Sequence, residues 1–202
     1  MNEQEQTNAH RIKVDQELVV AKRKSAKPML WVAMVSMVMF FAGLTSAYVV
    51  SMKREDWVSF DLPQAFYIST FLIVLSSITL FFSQRELKKD QIGKSFGLLV
   101  VTLLLGIGFI IYQYIGFNQL RDLGLYFTGP ESTVSTSFII GITFMHVLHL
   151  IAGIIVLLVV IYNHYKKKYS SRDMLGFELG AIFWHFVDVL WIYLFFFFYF
   201  IK

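Results

Sequence analysis

Apolar residues in this chain gather into five long blocks separated by short polar connectors. The blocks cover 29–52, 62–84, 95–120, 136–163 within a longer stretch from 132 to 165, and 175–201. Among 18 Lys/Arg and 14 Asp/Glu, only Glu178 and Asp188 fall inside a block. An α-helix rises ~1.5 Å per residue, so roughly 20 apolar residues cross the ~30 Å hydrocarbon layer of a bilayer. Every block is long enough. A soluble core does not need five such runs, so the pattern predicts an all-α, polytopic membrane bundle of five transmembrane helices. Residues 1–28 read as a polar tail and 29–202 as the transmembrane domain. Pro28 and Pro63 stand just before the first two blocks, where a missing N–H costs least, and Gly129-Pro130 marks a turn in the longest connector. No internal repeat is visible, and the only biased run is Phe195–Phe198.

Composition agrees with a membrane chain. Apolar residues make up 56% and charged residues 16%, against about 45–50% and about 25% in ordinary soluble domains. The chain has no cysteine, which removes disulfides, thiolate metal sites and cysteine nucleophiles. The formal charge of +4 does not point to nucleic acid, because the basic residues sit in connectors where orientation signals belong. Fourteen of the 18 Lys/Arg lie in the tail and the second and fourth connectors, which share one side. The positive-inside rule therefore places the N-terminus in the cytoplasm and the C-terminus outside. The first 28 residues are polar and the first apolar run is too long for a secretory signal peptide. In the tail, Ile12, Val14, Leu18, Val19 and Val20 form a weak apolar stripe. Two readings stand for it: a helix on anionic headgroups or a partner, and a solvated tail carrying orientation charges.

Ionisable groups inside the membrane are expensive and need a reason. Here they are His146 and His149 on the fourth span, and Glu178, His185 and Asp188 on the fifth. His146 and His149 are three apart and share a helix face, as do His185 and Asp188. The rise per residue brings both sets to one level near mid-bilayer, so neighbouring fourth and fifth helices could satisfy each other's polar groups. Three uses of such a cluster remain open. His146, His149 and His185 could ligate a metal with Asp188 behind them; axial histidines could hold haem, although only three lie deep; or the cluster could be a buried hydrogen-bonded network that fixes the two helices. In the last case, Asp188→Asn or His185→Ala should loosen packing. Gly43 with Ala47, and Gly106 with Gly108, read as points of close helix approach. Trp184 and Trp191, seven apart, read as packing residues on the face with the polar stripe. Trp57 and the aromatics at 193–200 read as an interfacial belt, and the Phe run as lipid- or partner-facing.

The last span reads Gly-Phe-Glu at 176–178 and, after five residues, Trp-His-Phe-Val-Asp-Val-Leu-Trp at 184–191. This closely resembles the C-terminal signature of subunit III of the haem–copper terminal oxidases. Other segments resemble the same family in order: Phe-Phe-Ala-Gly at 40–43 with Ala47-Tyr48, Ser69-Thr70 with Ser-Ser-Ile-Thr-Leu at 76–80, Leu-Gly-Ile-Gly-Phe at 105–109 with Gln113, and Thr143-Phe144 with His146, His149 and Gly153. The resemblance covers 29–202. It implies a non-catalytic subunit that packs beside catalytic subunit I, with subunit II in the same complex, holds phospholipid and helps sustain proton uptake in a bacterial inner membrane. Haem and copper would belong to the partner subunits, with no catalytic, cofactor or metal residue on this chain. The polar positions would then serve structure and lipid rather than chemistry. Cytochrome c is the expected donor, with quinol as the alternative, and a larger respiratory supercomplex is compatible. Two departures stand out. Five spans replace the seven of longer relatives, so the extra helix pair that walls their lipid cleft is missing, and Met37 occupies a position that is often glutamate. The rival from another class is a small transporter or metal-binding membrane protein built on His146, His149, His185 and Asp188.

Overall fold

The computed structural model describes residues 3–55, 57, 62–122, 134–170 and 173–201, with side chains described from residue 16 onward except at 19. The expected turn at Gly129-Pro130, Arg172, Lys202 and the side chains of Ile12, Val14 and Val19 lie outside the described residues. Five helices make up the fold: α1 (Glu3–Ser51), α2 (Gln64–Lys88), α3 (Ile92–Asp122), α4 (Val134–Tyr165) and α5 (Leu175–Phe200). Each contains a segment long and apolar enough to cross a membrane. The described residues contain no strand beyond an isolated bridge between Ser170 and Asp173. The predicted blocks and helices agree closely from α2 onward, and α2 starts directly after Pro63.

The first helix differs from expectation. Pro28 lies inside α1, which runs unbroken for 49 residues. At ~1.5 Å per residue this is about 73 Å, more than twice the hydrocarbon thickness. Proline removes one donor and crowds the preceding turn. The residues flanking Pro28, from Lys22 to Lys24 and at Lys27 and Met29, are exposed, so the freed carbonyl has open surroundings. The polar tail is thus a helical continuation of the first span, with Leu18 and Val20 exposed on it.

Packing follows a seven-residue beat. Buried positions on α2 alternate by three and four from Phe66 to Leu87, and on α3 from Ser95 to Leu120. That is the a/d spacing of helices that interlock side chain into gap. The α2–α3 turn is short, and Asp90 adopts a φ of 58° there, a left-handed conformation that Asp tolerates better than most residues. α5 packs against α1, α2 and α4, while α3 packs against α2 and α4. α5 therefore carries the densest core, including Phe177, Trp184, Val187, Trp191 and Leu194 at 1% exposure or less. The Phe run divides by the same beat: Phe195 and Phe198 are buried, Phe197 is half-buried and Phe196 is exposed. Half of it is core rather than lipid-facing surface.

Candidate functional site

Small hydroxyls join α2, α3 and α5. Ser69, Ser76 and Ser83 recur every seven residues on the buried face of α2. Ser76 Oγ donates to the Thr102 carbonyl at 3.3 Å and accepts the Trp184 indole N–H at 3.1 Å. The Ser69 hydroxyl accepts from Gln113 Nε2 at 3.0 Å. Ser83 donates to the Ser95 carbonyl at 2.8 Å, and His164 Nε2 lies 3.1 Å from the Ser95 hydroxyl. Two turns along α5 from Trp184, Trp191 Nε1 donates to Thr70 Oγ1 at 2.9 Å. Serine suits these positions because it is small enough for close helix approach and still carries a donor and an acceptor.

The two tryptophans are the wedges of this seam. Trp184 crosses from α5 to reach both α3 and α4. A Cβ built on Gly106 would lie 2.6 Å from its Cη2, and one built on Gly153 would lie 3.4 Å from its Cε3. Gly106 is therefore the cradle of the Trp184 ring. Gly43 is not a point of close approach within this chain: it is exposed, and a Cβ there would meet nothing within 4 Å. Gly108 meets only Leu72 at ordinary contact distance, 3.6 Å. Where α4 and α5 cross, Gly180 makes the tight approach, its Cβ position 2.8 Å from Val160 Cγ2.

The ionisable residues singled out in the sequence do not form one cluster. His146 is fully buried, with its ring 5.2 Å from Trp191, 6.1 Å from Phe109 and 6.4 Å from Phe41, centroid to centroid. Neither of its nitrogens has a hydrogen-bond partner, and the nearby Thr143 hydroxyl also lacks one. His149 bonds within its own helix, Nδ1 to the Met145 carbonyl at 2.7 Å, and rests on the Phe41 ring at 5.6 Å. His185 turns to α2, with Nδ1 2.6 Å from the Ser77 hydroxyl. Asp188 is 1% exposed; neither carboxylate oxygen makes a well-formed hydrogen bond, although the Ser77 hydroxyl that meets His185 lies close enough to act on it. Glu178 sits at the end of the bundle and pairs with Lys27 of α1 at 2.7 Å. Beside it, Arg23 pairs with Asp173. The expectation that the α4 and α5 polar sets would satisfy each other is thus not met. Although α4 and α5 are neighbours, Trp184, His185 and Trp191 of α5 bond to α2, Tyr193 and Glu178 bond to α1, and His146 faces rings.

This arrangement bears on metal and cofactor chemistry. Among the described residues, no three His, Asp or Glu side chains gather into a group that could hold a metal ion. His146 and His149 both border Phe41, whereas His185 turns away to Ser77 of α2. Among the described residues, the donor set needed for a metal is not assembled.

Outside the spans, the α4–α5 connection is built around Tyr169. Its ring packs edge-on to Phe177 at 6.2 Å and on His164 at 6.5 Å. Burial pushes the Tyr169 hydroxyl above its ordinary pKa, Asp173 adds to the rise, and a hydrogen bond with Asn163 opposes it. At the other end of the bundle, Tyr48 gathers an aromatic cluster with Trp57 at 4.8 Å and Phe197 at 5.3 Å, and its hydroxyl donates to the Ile201 carbonyl at 3.3 Å.

The model of the family described as cytochrome c oxidase subunit III matches residues 16–202. The chain belongs to the cytochrome c oxidase subunit III family. A cytochrome c oxidase subunit 3 from Corynebacterium diphtheriae is 31% identical over 175 residues, covering 81% of this chain and 82% of that protein. The one from Spodoptera frugiperda is 29% identical over 128 residues, 63% of this chain and 83% of that protein. The one from Aedes aegypti is 29% identical over 141 residues, 70% of this chain. This chain spans about half the length of the Aedes and Drosophila relatives, 50% in each case. The family match takes in the whole seam of α2, α3 and α5, the residues that join this subunit III chain together.

Ser69, Thr70, Ser76, Thr79 and Gln113 carry one sequence signal of this role, the seven-residue recurrence of serine on α2 in phase with Ser95 and Thr102 on α3.

Proposed function

We propose that this chain is the non-catalytic subunit III of an aerobic haem–copper oxidase of the bacterial cytoplasmic membrane, with the N-terminus cytoplasmic and the C-terminus outside. It stabilises the catalytic subunit I, shares the complex with subunit II, and helps sustain proton uptake while the complex reduces oxygen to water. Haem and copper sit in the partner subunits, and cytochrome c is the donor. The observation that carries this reading, beside family membership, is where the inner polar groups go. The seam hydroxyls and indoles, with His185, bind helix to helix, His146 is enclosed by rings, and among the described residues no three His, Asp or Glu side chains gather into a metal-ligand set. The close match to a bacterial relative over most of both chains supports the five-helix form and the bacterial membrane.

Phospholipid has a suitable seat at the basic end. A groove of about 590 Å³ runs between α1, α4 and α5, lined by Leu30, Val156, Val160, Leu179 and Phe183. At its end an adjoining pocket brings in Arg23 and Lys168 beside Tyr169 and Asn163. Apolar walls suit an acyl chain, and Lys168 with two neutral polar side chains suits a phosphate headgroup, while Arg23 is already paired with Asp173 of the same pocket.

The test is purification in gentle detergent through a tag on the N-terminus, followed by an optical spectrum and metal analysis before and after partner chains are stripped. Haem and copper should co-purify and leave with the partners. A metal retained by the lone chain would overturn the accessory-subunit reading and make the histidines ligands.

A further inference from the structure

α5 packs against α1 on one flank and α2 on the other, while among the described residues α1 and α2 make no close approach to each other. A strip of α5 between them is therefore uncovered. Val189, Tyr193, Phe196 and Phe200, spaced by four, three and four, are 64%, 46%, 50% and 74% exposed. They form one continuous apolar stripe. The flanks are fixed by polar contacts: Tyr193 hydroxyl to Thr45 of α1 at 3.1 Å, and His185 Nδ1 to Ser77 of α2 at 2.6 Å. His185 lies one turn before Val189 on the same stripe and is half-buried. Its Nδ1 is engaged by Ser77, and the side chain keeps a partly exposed edge near the middle of the span.

An imidazole edge at that depth is poorly served by lipid. Hydrocarbon supplies no donor or acceptor, so an ionisable side chain left at its border is costly. A neighbouring transmembrane helix can supply one, and polar side chains commonly join helices in membranes. His149, the other half-buried histidine, differs because it bonds its own helix backbone and rests on Phe41.

We propose that this strip of α5, centred on Val189 and bounded by His185 and Tyr193, is the docking surface for a transmembrane helix of another oxidase subunit. That helix presents a hydroxyl- or amide-bearing side chain to the outer edge of His185. Either tautomer of His185 can be served by such a group, which both donates and accepts. The inference rests on the accessory-subunit reading above and adds the face through which it acts.

The experiment uses the full chain in its native membrane, with a benzophenone amino acid at Val189 or at Leu104, which is 61% exposed on α3. After illumination, the Val189 probe should join the chain to another subunit at several-fold higher yield than the Leu104 probe. His185→Leu should lose several-fold of the co-purified partner, and His185→Gln should retain it. Adducts at Val189 that carry only lipid, or a second copy of this chain, overturn the proposal, as does a partner captured at Leu104 and not at Val189. If the His185 variants fail to fold, the probes decide alone. An unsubstituted chain that purifies without haem or any other subunit overturns the oxidase reading itself, whereas lipid-only adducts beside an intact complex overturn the docking strip alone.

Discussion

The α2–α3–α5 seam and the surroundings of His146 are both buried, both polar and both near mid-membrane, yet they are built in opposite ways. In the seam, Ser69, Ser76, Ser83, Trp184 and Trp191 each have a hydrogen-bond partner. Around His146, two ring nitrogens and the Thr143 hydroxyl have none. The difference lies in reach. A serine hydroxyl held at seven-residue spacing meets the facing helix at every second turn, where helices are closest. A histidine among Phe41, Phe109 and Trp191 is held by ring packing, which requires nothing of its nitrogens. Polarity is therefore adhesive along most of the seam, where Gln113 Oε1 is left over, and a guest in an aromatic box around His146.

The strongest way to break the contrast is through glycine. Gly106→Leu drives a side chain into the Trp184 ring, which is 1% exposed and tied to Ser76, so it cannot step aside. Overpacking of this kind costs about 1–3 kcal/mol and sometimes more, and here it also strains the Trp184–Ser76 bond. Gly43→Leu extends into open space, and the stability of the isolated chain should stay within about 0.5 kcal/mol. Thermal unfolding of both variants in one detergent reads the difference directly. Equal destabilisation would mean that α1 packs as tightly as the seam.

How much of this was legible in the sequence depends on the kind of signal. Hydropathy gave the five helices, because a long run without charge has few other solutions. Proline at 28 misled, because the sequence alone does not show that the helix around it is exposed enough to tolerate a missing bond. The ionisable residues drew attention because they are rare in a membrane, and depth alone suggested that they would meet. Depth fixes height in the bundle but not rotation about the helix axis, and rotation turned His185 toward α2 and His146 toward the rings. The seam residues were harder to read because serine in a membrane helix is common, and only its phase against the heptad beat marks it out.

A substitution pair sharpens the contrast by sign. Ser76→Ala removes the acceptor for Trp184 Nε1 and the donor to the Thr102 carbonyl. Interhelical hydrogen bonds in membrane proteins contribute about 0.6 kcal/mol on average and up to about 1.7, so a loss of about 1–2 kcal/mol is expected. His146→Leu removes polar atoms that had no partner, so stability should be unchanged or raised, by up to about 1–3 kcal/mol, the cost of burying an unpaired polar group. Unfolding in a graded denaturing detergent, with haem content of the complex as a second reading, tells the two apart. A His146→Leu chain less stable than Ser76→Ala would show that the histidine is an anchor after all.

The smallest effect is expected where α1 meets the connection between α4 and α5. Lys27 and Glu178 pair at 2.7 Å, but their side chains are 49% and 30% exposed, and Arg23 with Asp173 is more exposed still. Water and salt screen such pairs, which are worth about 0.2–1 kcal/mol. Lys27→Met should therefore cost no more than that, and less as salt is raised. α1 has little else at this end to hold it: Leu30 packs partly against the core and Ala26 borders the groove beside α4 and α5. A small free energy can thus decide whether the N-terminal half of α1 stays against the bundle. Hydrogen exchange along residues 16–30 measures this locally. Exchange that speeds up in Lys27→Met at low salt, and in the unsubstituted chain at high salt, would mark the pair as the clasp of the helix. Exchange indifferent to both would mean that helix propensity alone keeps α1 straight past Pro28.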